Sequence, residues 1–138
     1  MNDNFEKILI KISEHYAIDL HPDKNNACAI RCDDKITVQL EMDKDEENLL
    51  IFCAIASIPA GTYRKNIFIQ ALQENDRFPY IAKFGYFEEE NSLAIYIFFD
   101  FIKMKIEVLL DYLSIFVDLA ILYYDAIEKG NLLPDNKL

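Results

Sequence analysis

Apolar residues recur at helical spacing at Phe5, Ile8, Leu9, Ile12 and Tyr16, which predicts an opening helix of roughly four turns with one buried face. Asp3 followed by Glu6 has the spacing of a capping box, and Pro22 within "HPDKNN" closes the element. The period then changes from helical to two. Ile36, Val38, Leu40 and Met42 alternate with Thr37, Gln39 and Glu41, the signature of a strand with one buried and one wet face. "ACAIRC" precedes it across the polar turn Asp33-Asp34-Lys35, so the pair reads as a β-hairpin. "DKDEEN" makes the next turn, and "LLIFCAIAS" runs apolar on both faces, as a central strand does. Three consecutive strands of this kind predict an antiparallel meander.

Pro59 and Gly61 interrupt the pattern, and Thr62 suits the N-cap of a second helix, "YRKNIFIQALQEN". Tyr63, Ile67, Ala71 and Leu72 share one face of it, with Phe68 at the border. "YIAKFGYF" and "SLAIYIFF" form a second hairpin around "EEEN". Ile102 to Lys129 reads as one long helix whose core face uses Ile106, Leu109, Leu110, Leu113, Val117, Ala120, Ile121 and Tyr124. Gly130 serves as its C′ residue and Pro134 lies in a loose tail. The order α-β-β-β-α-β-β-α predicts an α+β fold, a five-stranded antiparallel sheet packed by helices. It fills a single domain over residues 1–130, with residues 131–138 as a flexible C-terminal tail.

Such a domain has more apolar surface than one chain buries. The long helix carries Val108, Ile115, Leu119, Leu122 and Tyr123 off its core face. In "SLAIYIFFDF", Leu93, Ile95, Ile97 and Phe99 point one way, and Ala94, Tyr96 and Phe98 the other. The hairpin partner and the last helix cover one face. The other is left for a second subunit or a bound client, and the subunit is the expectation.

Composition narrows the classes of partner. Fourteen Lys and Arg against 24 Asp and Glu give a formal charge of −10, which disfavours nucleic acid and anionic membrane surfaces. "MNDNFEKILI" has acids where a secretory signal has positive charge, and the longest uncharged run, Asn48 to Tyr63, is broken by Pro59 and Gly61. Cys28, Cys32 and Cys53 are an odd number in strand-like surroundings and read as buried reduced thiols of a cytoplasmic protein. His15 and His21 have no metal spacing, no glycine-rich phosphate loop occurs, and the acidic turns match no calcium loop. The expectation is a protein without metal or cofactor and without catalytic activity.

With this element order the chain resembles the class I type III secretion chaperones, the CesT/SycE-like Tir chaperone family. The resemblance spans roughly Phe5 to Glu128. It is carried by the amphipathic first helix ending near "YAIDL", by "CAIRCDDKITVQLEM" turning into "LLIFCAIASIP", and by the helix end "ALQEND". "FEEENSLAIYIFF" and the closing long helix complete it. The resemblance implies a non-catalytic homodimer in the bacterial cytoplasm that binds the N-terminal segment of secreted effectors and hands them to the export ATPase or a sorting component. Effector binding is then expected at Phe5, Leu9, Ile12, Ile36, Val38 and Leu40, and dimer contact at Ile67, Phe68, Leu72, Tyr96 and Phe98. The competing readings are ordinary core packing for the first set and, for the whole chain, a small immunity-type protein that neutralises one folded partner.

Overall fold

A computed structural model describes residues 3–45, 47–75, 82–101 and 103–133. In chain order the elements are α1 (Asp3–Tyr16), β1 (Ala27–Cys32), β2 (Ile36–Met42), β3 (Asn48–Ser57), α2 (Thr62–Asn75), β4 (Lys83–Phe87), β5 (Ser92–Asp100) and α3 (Ile106–Glu128), with a 3-10 turn at Glu88–Glu90. The α+β order predicted from periodicity is the one observed. The expected cap at Asp3 lies outside the described side chains.

All strand pairs are antiparallel and the sheet order is β1-β2-β3-β5-β4, so β3 and β5 are central. The β1–β2 turn closes where Asp33 (φ 53°) and Asp34 (φ 55°) both take left-handed backbone, with the Lys35 N–H donating to the Cys32 carbonyl at 3.0 Å. That geometry suits the right-handed twist of a hairpin, and aspartate tolerates it better than most residues do. Asp43 holds the next turn, its carboxylate accepting from the Glu47 N–H at 2.9 Å.

Alternation sorts the sheet into two faces. On the inner face Ile36, Val38, Leu40, Leu49, Ile51, Cys53, Leu93, Ile95 and Phe99 are all buried. Helix α3 lies on this face, with ring contacts Phe84–Tyr123 at 5.0 Å and Phe99–Tyr112 at 5.8 Å. Helix α1 adds Phe5, Ile8, Leu9 and Ile12 to the same core. The outer face carries Gln39, Glu41, Leu50, Phe52, Tyr96 and Phe98, and the described helices pack on the other side.

Helix α2 flanks β4, the sheet's last strand. The Asn75 side chain pairs with both backbone groups of Phe84, accepting from its N–H at 2.8 Å and donating to its carbonyl at 2.9 Å. This amide occupies the outer edge of β4 much as another strand would. Gln70 holds Leu133 in the same two-point way, at 2.8 and 2.9 Å, and the Tyr63 hydroxyl donates to the Asn131 carbonyl at 2.6 Å. The segment after α3 is thereby tied to α2 through Leu133, which is buried.

Three assignments of helical faces are corrected by the structure. Tyr16 is 38% exposed and Leu72 is 62% exposed, although spacing places each on one helix face with residues that are buried, Ile12 and Ile67. Helix α2 sits at a sheet edge and buries only the stripe of Ile67, Ala71 and Glu74, which turns Leu72 outward. Helix α3 buries Leu109, Leu113, Phe116, Ala120, Tyr123 and Ile127, while Leu110, Val117, Ile121 and Tyr124 are only partly covered. A helix apolar almost all round does not fix its own rotation, so the sheet decides which residues turn inward.

Candidate functional site

Two of the places where the fold leaves apolar side chains open bear on the expected sites. The first is a cavity of about 340 Å³ beside β1, where the C-terminal end of α1 meets α3. Ile18, Ile30, Val38, Leu113, Val117 and Ile121 give it an apolar lining, and Arg31, Asp33 and Asp118 contribute charge. Its position follows from local chain geometry. Helix α1 stops at Ala17, whose φ of 56° reverses the backbone, and the Ile18 N–H closes back on the Ser13 carbonyl at 3.1 Å. The Leu20 N–H donates to the Ser13 hydroxyl at 3.2 Å, so the chain turns away and leaves a gap over the end of β1.

Burial governs the chemistry of the cavity's polar groups. The Cys32 thiol is pushed up by burial first and by the Asp33 carboxylate second, so it stays protonated. The Tyr16 phenol is also raised, mainly by burial; a hydrogen bond from Ser114 opposes this and Asp118 adds to it. Raised acids of this kind are poor nucleophiles. Among the described residues no group of histidine, cysteine or carboxylate side chains could hold a metal ion. The site is equipped to accept an apolar side chain next to a polar or basic one.

The second place is the outer sheet face. Leu50 stands opposite Phe98, Phe52 opposite Tyr96, and Ala54 opposite Ala94 across the β3–β5 pair. Phe52 meets Phe87 edge-on at 5.3 Å, extending the apolar strip to β4, and Phe98 is 62% exposed. Around the corner, at the α2–β4 edge, Phe68 meets Tyr86 at 5.3 Å and Leu72 projects outward. The strip is a candidate contact surface.

The expected site residues separate accordingly. Phe5, Leu9, Ile12, Ile36, Val38 and Leu40 all lie within the core, each at 1% exposure or less. Of these six, Val38 alone lines the cavity. Among the expected dimer residues Ile67 is core, Phe68 and Tyr96 are partly covered, and Leu72 and Phe98 are exposed. Sequence periodicity missed Ile18, Cys32, Val117 and Ile121 as a group. The signal was present in the apolar flank of the last helix, but pairing that flank with the β1 end requires the fold.

Comparison with known proteins agrees with this architecture. A model of the Tir chaperone protein (CesT) family matches residues 7–121. Among solved structures, the ExsC–ExsE complex contains a similar chain, with a TM-score of 0.71 and 17% identity over 99% of this chain and 98% of that one. The Yersinia pestis type III secretion chaperone SycH, solved with a stable fragment of YscM2, gives a TM-score of 0.66 and 12% identity over 86% and 98%. The HopA1–SchA chaperone–effector complex gives 0.59 and 16% over 84% and 89%. No match is found among curated proteins.

Proposed function

The chain belongs to the Tir chaperone protein (CesT) family of type III secretion chaperones, and from that premise we propose that it works as a homodimer holding the N-terminal segment of a secreted effector. The observation that carries the reading is the apolar cavity of about 340 Å³ set against the outer strand β1. An extended segment passing along β1 can pair with its outward backbone groups and drop an apolar side chain into the cavity. Asp33 and Asp118 at the cavity favour a segment with Lys or Arg beside that anchor. Strand β4 is less suited to the same role, because Asn75 already occupies both backbone groups of Phe84.

For the dimer, the outer strip of Leu50, Phe52, Tyr96 and Phe98, together with Phe68 and Leu72, supplies the contact. These residues project from the folded chain without belonging to its core, so a second copy can cover them at no cost in internal packing. Placed there, the dimer leaves both cavities open to clients. The solved relatives named above include chaperones in complex with effector or partner proteins, which supports client binding as the role. Release to the export machinery would follow from weak, distributed contacts rather than one deep pocket.

The test is co-expression with a client, followed by binding of the client's isolated N-terminal segment to Ile18→Asp. Ile18 is 39% exposed, so the substitution leaves the fold intact while putting a carboxylate at the cavity. We expect binding to weaken by at least about tenfold. Cys32, which lines the same cavity, should react more slowly with a thiol reagent when the segment is bound. Unchanged affinity together with unchanged Cys32 reactivity would remove the cavity from client binding. Binding that survives deletion of the client's N-terminal segment would favour recognition of a folded partner.

A further inference from the structure

Helix α3 carries a second apolar surface that neither the cavity nor the sheet strip includes. Val108, Tyr112, Ile115, Leu119 and Leu122 follow one another at steps of four and three residues. At about 100° per residue they fall within an arc of about 80°, a straight seam some 21 Å long. Ile115 and Leu122 are 43% and 44% exposed, while Val108, Tyr112 and Leu119 are half-buried and pack partly on the core, Tyr112 edge-on to Phe99. The residues lining the cavity, Leu113, Val117 and Ile121, lie on the opposite flank of the helix. Between the two flanks runs an acidic row of Glu107, Asp111 and Asp118, continued by Asp125, which is ion-paired to Lys35 at 2.9 Å.

From this arrangement we propose that the α3 seam is the docking site of a basic amphipathic helix from another protein. The spacing of four and three is what knobs-into-holes packing between two helices requires. An occupant helix has Leu-type residues on the same repeat and Lys or Arg along the side that meets Glu107, Asp111 and Asp118. A second copy of this chain is a poor occupant. An antiparallel two-fold pairing of the seam with itself sets one acidic row against the other, in a chain already at −10. Anionic lipid is disfavoured by the same row. The apolar seam shares no residue with the cavity, although Asp118 in the acidic row borders both.

The experiment uses the full chain and a labelled synthetic helix of about 18 residues, Leu at the four-three repeat and Lys on the flanks, with a Glu-for-Lys counterpart. Fluorescence anisotropy should show binding of the Lys helix, weakening as salt rises, and little binding of the Glu helix. Ile115→Ser with Leu122→Ser should reduce affinity about tenfold, and both positions are exposed enough for circular dichroism to show an unchanged fold. Asp111→Lys with Asp118→Lys should reverse the preference to the Glu helix. Glu88→Lys with Glu89→Lys changes net charge equally but lies on the 3-10 turn, and should leave binding intact. The proposal is overturned if the Lys helix fails to bind, or if the Ser pair binds it undiminished. Equal weakening by both Lys pairs would also overturn it, since it would mean general charge attraction without a seam. So would concentration-dependent self-association abolished by the Ser pair.

Discussion

Leu50 and Phe98 face each other across the two central strands, β3 and β5, on the sheet face opposite α3. Each is the outward neighbour of fully buried residues, Leu49 and Ile51 on one strand, Phe99 on the other. Leu50 is half-buried and Phe98 exposed, so under the proposed dimer this pair is the apolar surface a second copy covers.

Phe98→Asp should therefore change association before it changes folding. Light scattering is expected to show the mass of a single chain for the variant and of two chains for the parent, with thermal midpoints within a few degrees. Phe98 is 62% exposed, so no cavity opens in the core. A variant that remains dimeric would move the interface elsewhere, with the α2–β4 edge around Leu72 as the next surface to probe.

Leu9 behaves in the opposite way. It is 1% exposed and packs into the core between α1 and the sheet. Leu9→Ala should lower unfolding free energy by about 2–5 kcal/mol, the range for emptying a packed leucine site. Chemical denaturation measures this directly; a loss under about 1 kcal/mol would place Leu9 at a surface after all.

Ala17 ends α1 in left-handed backbone at φ 56°, a conformation that costs a residue with a Cβ about 1 kcal/mol. Ala17→Gly should raise stability by up to about 1 kcal/mol despite the added freedom of the unfolded chain. Ala17 does not itself line the cavity, and Gly keeps the same left-handed backbone before Ile18, so client affinity should be unchanged.

Burial pushes the Cys53 thiol up to about 12 from its ordinary 9.0. In the unfolded chain it ionises near 9, so above that pH the folded state holds the extra proton. Its contribution is intact below about pH 9 and is lost as pH rises towards about 12, by about 1.4 kcal/mol per unit for this one group. Unfolding free energies at about pH 9 and pH 10 should fall more steeply for the parent than for Cys53→Ala. Equal slopes would mean that the thiol is not buried as described.

The strands and their faces were legible because period two is unambiguous: Ile36, Val38, Leu40 and Met42 turn inward as their alternation requires. The helices were legible as elements but not in rotation. Tyr123 is fully buried and Leu110 is not, since the last helix is apolar on nearly every side and only the sheet chooses among those sides. The expected groove residues turn out to be buried for a related reason. Phe5, Leu9 and Ile12 are the residues a folded chain needs first, so the most regular apolar pattern marks core. The cavity is built from less regular positions, Ile18 after the helix end and Cys32 at the hairpin, brought together by tertiary contact. The two amide clamps, Asn75 on Phe84 and Gln70 on Leu133, carry no sequence signature.

The most direct test of the account is the mass, by light scattering, of the complex between this chain and the N-terminal segment of a client recovered by co-expression. Two copies of the chain with bound segment are expected, with Ile18→Asp yielding the same dimer without it. A stable monomer that binds the intact client equally well after removal of that segment would contradict it.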